Sequence, residues 1–207
     1  CAFGYAAGNA QTTANYNNLV GRGAGNVITT GGYNNMFGGA AGDAITTGTH
    51  NVGVGHNAAG AVTTGTYNVA VGNYAGDAIT SASYNTAVGS SALSTTQTGA
   101  QNTAVGTCAL QNALEDNNTA VGYAAMQNCT TGEYSVAVGH GALDAALTGD
   151  QNVAIGYTST SACTSGYNNV MVGSYTGDAI TTGPLNVAVG YGALSALVSG
   201  QENTTLG

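Results

Sequence analysis

Asn186-Val187-Ala188-Val189-Gly190 is the stretch whose reading decides the fold, because the rest of the chain repeats it. Counting backwards from Gly190, the closing glycine recurs at Gly173, Gly156, Gly139 and Gly122, then at Gly106, Gly89, Gly72, Gly55, Gly38, Gly21 and Gly4. Counting forwards, it recurs at Gly207. Every interval is 17 residues except Gly106 to Gly122, which is 16. A fixed period of this length marks a stacked array in which each repeat contacts its neighbours.

The residue before the glycine is always apolar, from Phe3, Val20 and Phe37 to Ile155, Val189 and Leu206. Two before it stands Ala in most repeats, and three before it Val or Thr from Val52 onward. Such β-branched triplets predict short strands. Side chains alternate along a strand, so Val187 and Val189 share one face and Ala188 the other. The valine side reads as the core. The alanine side, uncharged and small, reads as a second covered face through which chains associate. Val71→Asp is then expected to break the array, and Ala70→Arg with Ala87→Arg to lower its oligomeric state.

Four residues before the glycine comes Asn in every repeat from Asn17 to Asn203, replaced once by Ser135. Asn suits a turn, and Asn side chains stacked in register form amide ladders. A row of ligand-binding amides is the lesser reading. After the glycine two styles alternate, Ala41-Gly42-Asp43-Ala44-Ile45-Thr46-Thr47-Gly48 and Ala142-Leu143-Asp144-Ala145-Ala146-Leu147-Thr148-Gly149. Both suggest a second short strand, around Ile45, Ile79, Ile180, Leu147 and Leu197. The fold class is therefore all-β, a parallel β-roll (β-solenoid) of about twelve 17-residue coils. Helix is disfavoured, since each interior Gly costs about 1 kcal/mol there. Residues 1–207 read as a single uncapped array, with the 16-residue repeat at 107–122 as a tolerated loop deletion. Phe3 and Leu206 occupy the apolar column at either end, so flanking repeats or end-to-end stacking are expected.

Composition bounds the partners. The chain has 34 Gly and one strong base, Arg22, and its formal charge is −8. A nucleic-acid partner is excluded on that ground, because nothing would neutralise phosphates. No apolar run reaches the roughly 20 residues that span a bilayer, so no membrane insertion is expected. Cys129 and Cys163 share a column two repeats apart, about 10 Å at strand spacing and too far to bridge. The four cysteines, Cys1 and Cys108 included, read as small and mostly buried hydrophobes.

Chemistry motifs are sparse. His50, His56 and His140 are single substitutes within columns, without metal-ligand spacing. Gly42-Asp43, Gly76-Asp77 and Gly177-Asp178 lack the glycine density of calcium-binding β-roll repeats. Catalytic, cofactor and metal residues are each read as none, and the chain as not an enzyme. Glycosylation acceptors occur at Asn117, Asn128 and Asn203. Tyr16, Tyr33, Tyr67, Tyr84 and Tyr134 precede the Asn, with His50 in the same column. Tyr5, Tyr123, Tyr157 and Tyr191 follow the glycine, as do His56 and His140. These columns read first as structural ladders and second as platforms for glycans or bases.

Asn152-Val153-Ala154-Ile155-Gly156 resembles the head repeats of trimeric autotransporter adhesins. Asn118-Thr119-Ala120-Val121-Gly122-Tyr123 and Asn186-Val187-Ala188-Val189-Gly190-Tyr191-Gly192-Ala193-Leu194 resemble repeats of phage tail fibres. The resemblance covers the whole chain, although the period is longer than that of the adhesin heads. It implies a left-handed roll, three chains side by side, and an extracellular fibre at a cell or virion surface. The expected function is a self-associating structural segment of a fibre or adhesin shaft, as homotrimer or filament, with a glycan or host surface as a further partner. Two alternatives are an ice-binding solenoid, on Thr12-Thr13, Thr29-Thr30, Thr46-Thr47 and Thr63-Thr64, and a carbohydrate-binding face on the Tyr columns.

Overall fold

A computed structural model describes residues 1–96 and 98–207; Gln97, part of the decaying threonine column, lies outside the described residues. The protein is a parallel β-solenoid of about twelve turns, without helix among the described residues. It divides into two compact units, residues 1–102 and 103–207. The first carries β1 (Ala2–Phe3), β2 (Asn18–Val20), β3 (Asn35–Phe37), β4 (Val52–Val54), β5 (Val69–Val71) and β6 (Thr86–Val88). The second carries β7 (Thr103–Val105), β8 (Thr119–Val121), β9 (Val136–Val138), β10 (Val153–Ile155), β11 (Val170–Val172), β12 (Val187–Val189) and β13 (Thr204–Leu206).

Within each unit successive strands pair in parallel with the repeat in register, as Ala70 with Ala87 and Ala154 with Met171. The short repeat keeps this register, pairing Thr103 with Thr119 and Val105 with Val121. Its missing residue is absorbed in the turn at 115–117. The deletion is a loop event, as its sequence suggested.

The two strand faces are the reverse of the expectation. Ala70, Ala87, Ala137 and Ala188 are buried inside the coil, whereas Val187 and Val189 remain 37% and 39% exposed. Phe3 and Leu206 lie on that same outer face, largely exposed. The reason is parity with the buried asparagines: the residue two before the glycine lies on the same side of the strand as the asparagine four before it, and this column also takes Leu19, Met36 and Met171, all fully buried. The turns supply a second buried row, Ala24, Ala41, Ala58, Ala75 and Ala92 in the first unit.

Among the described residues the second expected strand is also absent. Each coil has one strand, followed by a run of turns with left-handed residues at alternate positions, such as Ala40 (φ 55°) and Gly42 (φ 57°), or Ser91 (φ 55°) and Leu93 (φ 50°). Beyond these residues, around Ile45, the N–H groups of Thr46, Thr47 and Gly48 all converge on the Thr63 carbonyl, so the evenly spaced bonds of a parallel ladder do not form. Ile45, Ile79 and Ile180 therefore reach the core from turns.

The two sequence styles become two ways of filling one space. Where the second left-handed position is Gly25, Gly42, Gly76 or Gly177, the core residue three places on is Ile28, Ile45, Ile79 or Ile180. Where it is Leu93, Leu110 or Met126, that residue shrinks to Thr96, Ala113 or Cys129. A Cβ added at Gly42 would sit 2.7 Å from Met36 Sδ and 2.8 Å from Ile45 Cδ1. In these coils a large residue at one position is matched by a small one at the other, as close packing favours, whereas the coil of Leu143 buries Leu147 as well.

The buried asparagines tie the coils together. Asn17 Oδ1 accepts the Asn34 backbone N–H at 2.8 Å, and Asn17 Nδ2 donates to the Gly31 carbonyl at 2.9 Å. The same pair of bonds recurs from Asn34, Asn51 and Asn68 in the first unit, and from Asn152, Asn169 and Asn186 in the second. Ser135 keeps the acceptor, taking the Asn152 N–H on Oγ at 3.1 Å, but has no amide to offer the Gly149 carbonyl. Asn152 Nδ2 reaches back to that carbonyl at 3.1 Å while also serving Gly166 at 2.8 Å.

Two outcomes follow for stability. Ala70→Arg should cost upwards of about 3 kcal/mol, because a long charged chain enters a filled interior. Val71→Asp, on the outer face, should cost about 1 kcal/mol, so in chemical melts the two variants should differ in the order opposite to hydrophobicity. Asn68→Ala strips partners from the Asn85 N–H and the Ala82 carbonyl, at about 1–3 kcal/mol for each orphan. Asn68→Ser, which retains an acceptor as Ser135 does, should lose roughly half as much.

Candidate functional site

With the interior filled, the surfaces able to act are the outer sheet face and the turn columns. The outer face of the first unit presents Val20, Phe37, Val54, Val71 and Val88, and that of the second Val105, Val121, Val138, Ile155, Val172 and Val189. Beside them run the residues three before the glycine, Asn18, Asn35, Val52, Val69 and Thr86, then Thr103, Thr119, Val136, Val153, Val170 and Val187. None of these is charged. All nine carboxylates, from Asp43 to Glu202, lie outside the strands.

The first aromatic column forms a stack in the first unit. Ring centroids lie 4.9 Å apart for Tyr16–Tyr33, 4.7 Å for Tyr33–His50, 4.6 Å for His50–Tyr67 and 5.2 Å for Tyr67–Tyr84, with planes within 17° of parallel. Each of these residues also has positive φ, between 57° and 63°, at the corner entering the asparagine. Left-handed tyrosines at one corner of successive coils are thus held at strand spacing, where offset stacking is favourable. The structural ladder read from the sequence is present, and its ring edges stay solvent-exposed.

The second column stacks in the second unit, with Tyr123–His140 and His140–Tyr157 centroids both 5.1 Å apart. Tyr175 then enters edge-on, 5.3 Å from Tyr157 and 5.7 Å from Tyr191. Column counting missed Tyr175 and its equivalent Tyr74, which meets His56 edge-on at 5.4 Å. Both sit one residue later than the column, and the left-handed backbone there (φ 56° and 57°) swings the ring back toward it.

The threonine pairs are divided in use. Thr12, Thr29, Thr46 and Thr63 donate their hydroxyls to the carbonyl of the equivalent threonine in the next coil, at 2.9–3.2 Å. Only the second members, Thr13, Thr30, Thr47 and Thr64, present hydroxyls outward, in one row. Among the described residues no three His, Cys, Asp or Glu side chains are grouped so as to hold a metal ion. The asparagine amides are spent on the ladder, Asn203 among them (Nδ2 to Asn186 Oδ1, 2.8 Å), while Asn128 is exposed and bonds the Asp144 carbonyl at 3.0 Å. Burial raises the Asp144 carboxyl above its ordinary range, and nearby His140 opposes the shift.

The cysteines split two and two, against the expectation that they are mostly buried. Cys129 and Cys163 are buried, but Cys1 is exposed and Cys108 half-buried, because their columns face outward. Burial pushes the Cys129 thiol from 9.0 up to about 12 and the Cys163 thiol to about 11.

No family model, curated protein or solved structure matches the chain. Among the described residues, no helix is long and apolar enough to cross a membrane.

The buried thiols give a pH dependence with a defined sign. Their folded pKa lies above the unfolded value, so the unfolded chain loses its protons first as pH rises. Their contribution is complete below about pH 9 and declines through pH 11 to 12. Alkaline melts of Cys129→Ala with Cys163→Ala should fall less steeply with pH than those of the parent. At neutral pH an alkylating reagent should label Cys1 readily and leave Cys129 and Cys163 unmodified until unfolding.

Proposed function

We propose that this chain is a non-enzymatic structural segment of an extracellular fibre or adhesin, and that copies associate side by side as a homotrimer or filament. The observation that carries the reading is the separation of charge from the sheet. Strands in both units present an uncharged outer face rich in β-branched residues, while the carboxylates that maintain solubility lie outside the strands. A contiguous apolar face of this kind marks an interaction surface, and an uncharged parallel sheet is ordinarily covered.

The associating face is accordingly the valine and threonine side, in place of the alanine side that the sequence suggested, since the alanines are sealed within their own coil. The mechanical role rests on the way coils hold one another. Backbone bonds, buried amides and threonine hydroxyls all run from one coil to the next, so stiffness accumulates with repeat number.

Sedimentation velocity on the purified chain decides the matter. The parent should sediment as an oligomer, and Val71→Asp with Val88→Asp should shift it toward monomer while far-UV circular dichroism stays unchanged. A monodisperse parent monomer at high concentration would remove the self-associating part of the proposal.

A further inference from the structure

The position after the ladder glycine is aromatic or polar through most of the first unit: Tyr5, Arg22, Gly39, His56 and Asn73. At Gly39 the column loses its side chain. The gap opens a cleft of about 540 Å³ lined chiefly by Tyr5, Arg22, Asn26, Gly39, Asp43 and His56. The His56 ring leans toward the gap, so that a Cβ added at Gly39 would lie 3.6 Å from its Cδ2. The volume falls within the range of small-molecule sites, about 300–1,000 Å³.

The charges in this cleft are unusual for the chain. Arg22 is the one strong base against nine carboxylates. Its side chain is exposed and, among the described residues, makes no hydrogen bond or ion pair, although Asp43 lines the same cleft. A free guanidinium offers forked donors matched to a carboxylate. Asp43 is half-buried; it takes backbone N–H groups at its own residue and Ala44, while burial raises its carboxyl above the ordinary range. Asp43 and the Asn26 amide are suited to hydroxyl groups. Tyr5 and His56 provide flat ring surfaces at the two ends.

We propose that the cleft at Gly39 binds one acidic monosaccharide unit of a glycan, its carboxylate on Arg22, its hydroxyls on Asn26 and Asp43, and its ring against His56, with Tyr5 at the far end open to a neighbouring unit of the glycan. A sugar places its negative charge on one edge and its hydroxyls on another, so Arg22 and Asp43 are both satisfied. Inorganic phosphate carries charge on every side and is repelled by Asp43. The site goes beyond the structural role proposed above and stands whether or not the chain self-associates.

Saturation-transfer NMR on the 207-residue chain tests it, with glucuronic acid and N-acetylneuraminic acid as probes and glucose, inorganic phosphate and a glutamate-containing peptide as controls. At least one acidic sugar should receive saturation, and glucose should receive much less. Arg22→Gln should weaken the acidic sugar about tenfold or more, the scale of one lost charge-assisted pair. Gly39→Leu should abolish binding by filling the gap. Gly39 has no positive φ and its Cβ meets nothing closer than 3.6 Å, so this variant should fold, as circular dichroism will report. Should it misfold, Arg22→Gln alone decides. No transfer to either acid, unchanged binding in Arg22→Gln, or displacement of the sugar by phosphate or peptide at equal concentration would each overturn the proposal. An oligosaccharide ending in the preferred acid, binding more tightly than the free sugar, would identify a glycan chain as the source.

Discussion

The buried amide is the interaction on which the rest of the structure depends. An unpaired amide in a dry interior costs several kcal/mol, so a column of buried asparagines is tolerable only when each amide finds its partners in adjoining coils. Asn68 shows the demand in full: its Oδ1 takes the Asn85 N–H, and its Nδ2 serves the Ala82 carbonyl and Asn51 Oδ1. These bonds have directions and lengths that permit almost no slip between coils. The constant 17-residue spacing follows from them. So does the place where the spacing breaks, since the residue missing from the 107–122 repeat is taken from a turn and the asparagine and strand positions on either side remain in register.

Register fixed in this way also explains how the core tolerates variation. Neighbouring coils resist moving apart to admit a larger side chain, so in most coils size is balanced between the two positions, the coil of Leu143 and Leu147 being an exception. Gly42 with Ile45 and Met126 with Cys129 are two solutions of one volume constraint. The left-handed backbone at the first residue of each pair is held in both, at φ 57° for Gly42 and 50° for Met126. A methionine there bears a conformational cost of about 1 kcal/mol, offset by the apolar surface it buries. Ladder glycines such as Gly72 have no such latitude, since a Cβ would strike the Gly89 carbonyl of the following coil.

The period, the strand positions, the asparagine ladder and the tyrosine stack were legible in the sequence, because each is a column property and columns survive stacking. The sense of the sheet was not read correctly. Hydrophobicity could not choose between a valine face and an alanine face, since both are apolar. Parity could have chosen. Asparagine four residues before the glycine and alanine two before it lie on the same side of the strand, so a buried amide ladder commits the alanines to the interior. Asn18 and Asn35, on the valine side, pair with one another in the open at 2.7 Å and point to the same answer. The convergence of three N–H groups on one carbonyl where the second strand was expected, and the left-handed residues before it, were beyond sequence reading, because Ala40, Ser91, Leu93 and Met126 have no preference for that conformation.

Everything the coils must satisfy lies inward or along the hydrogen-bond ladder, and this leaves the outward columns free to differ from one repeat to the next. The corner before the asparagine accepts Tyr16, His50, Gln101, Asn117 or Leu185 at nearly the same φ, between 58° and 62°. The position after the ladder glycine accepts Tyr5, Arg22, Gly39 or Ser90. Differences among coils at these positions leave the core and the amide ladder untouched, so they are where recognition can be written without endangering the fold. The outer sheet face behaves otherwise. It varies among Val, Ile, Leu, Phe, Thr and Asn and admits no charge in any described strand, although a lone charge there would be solvated and cheap for a single chain. A restriction that the isolated coil does not require supports the proposal that copies associate through that face.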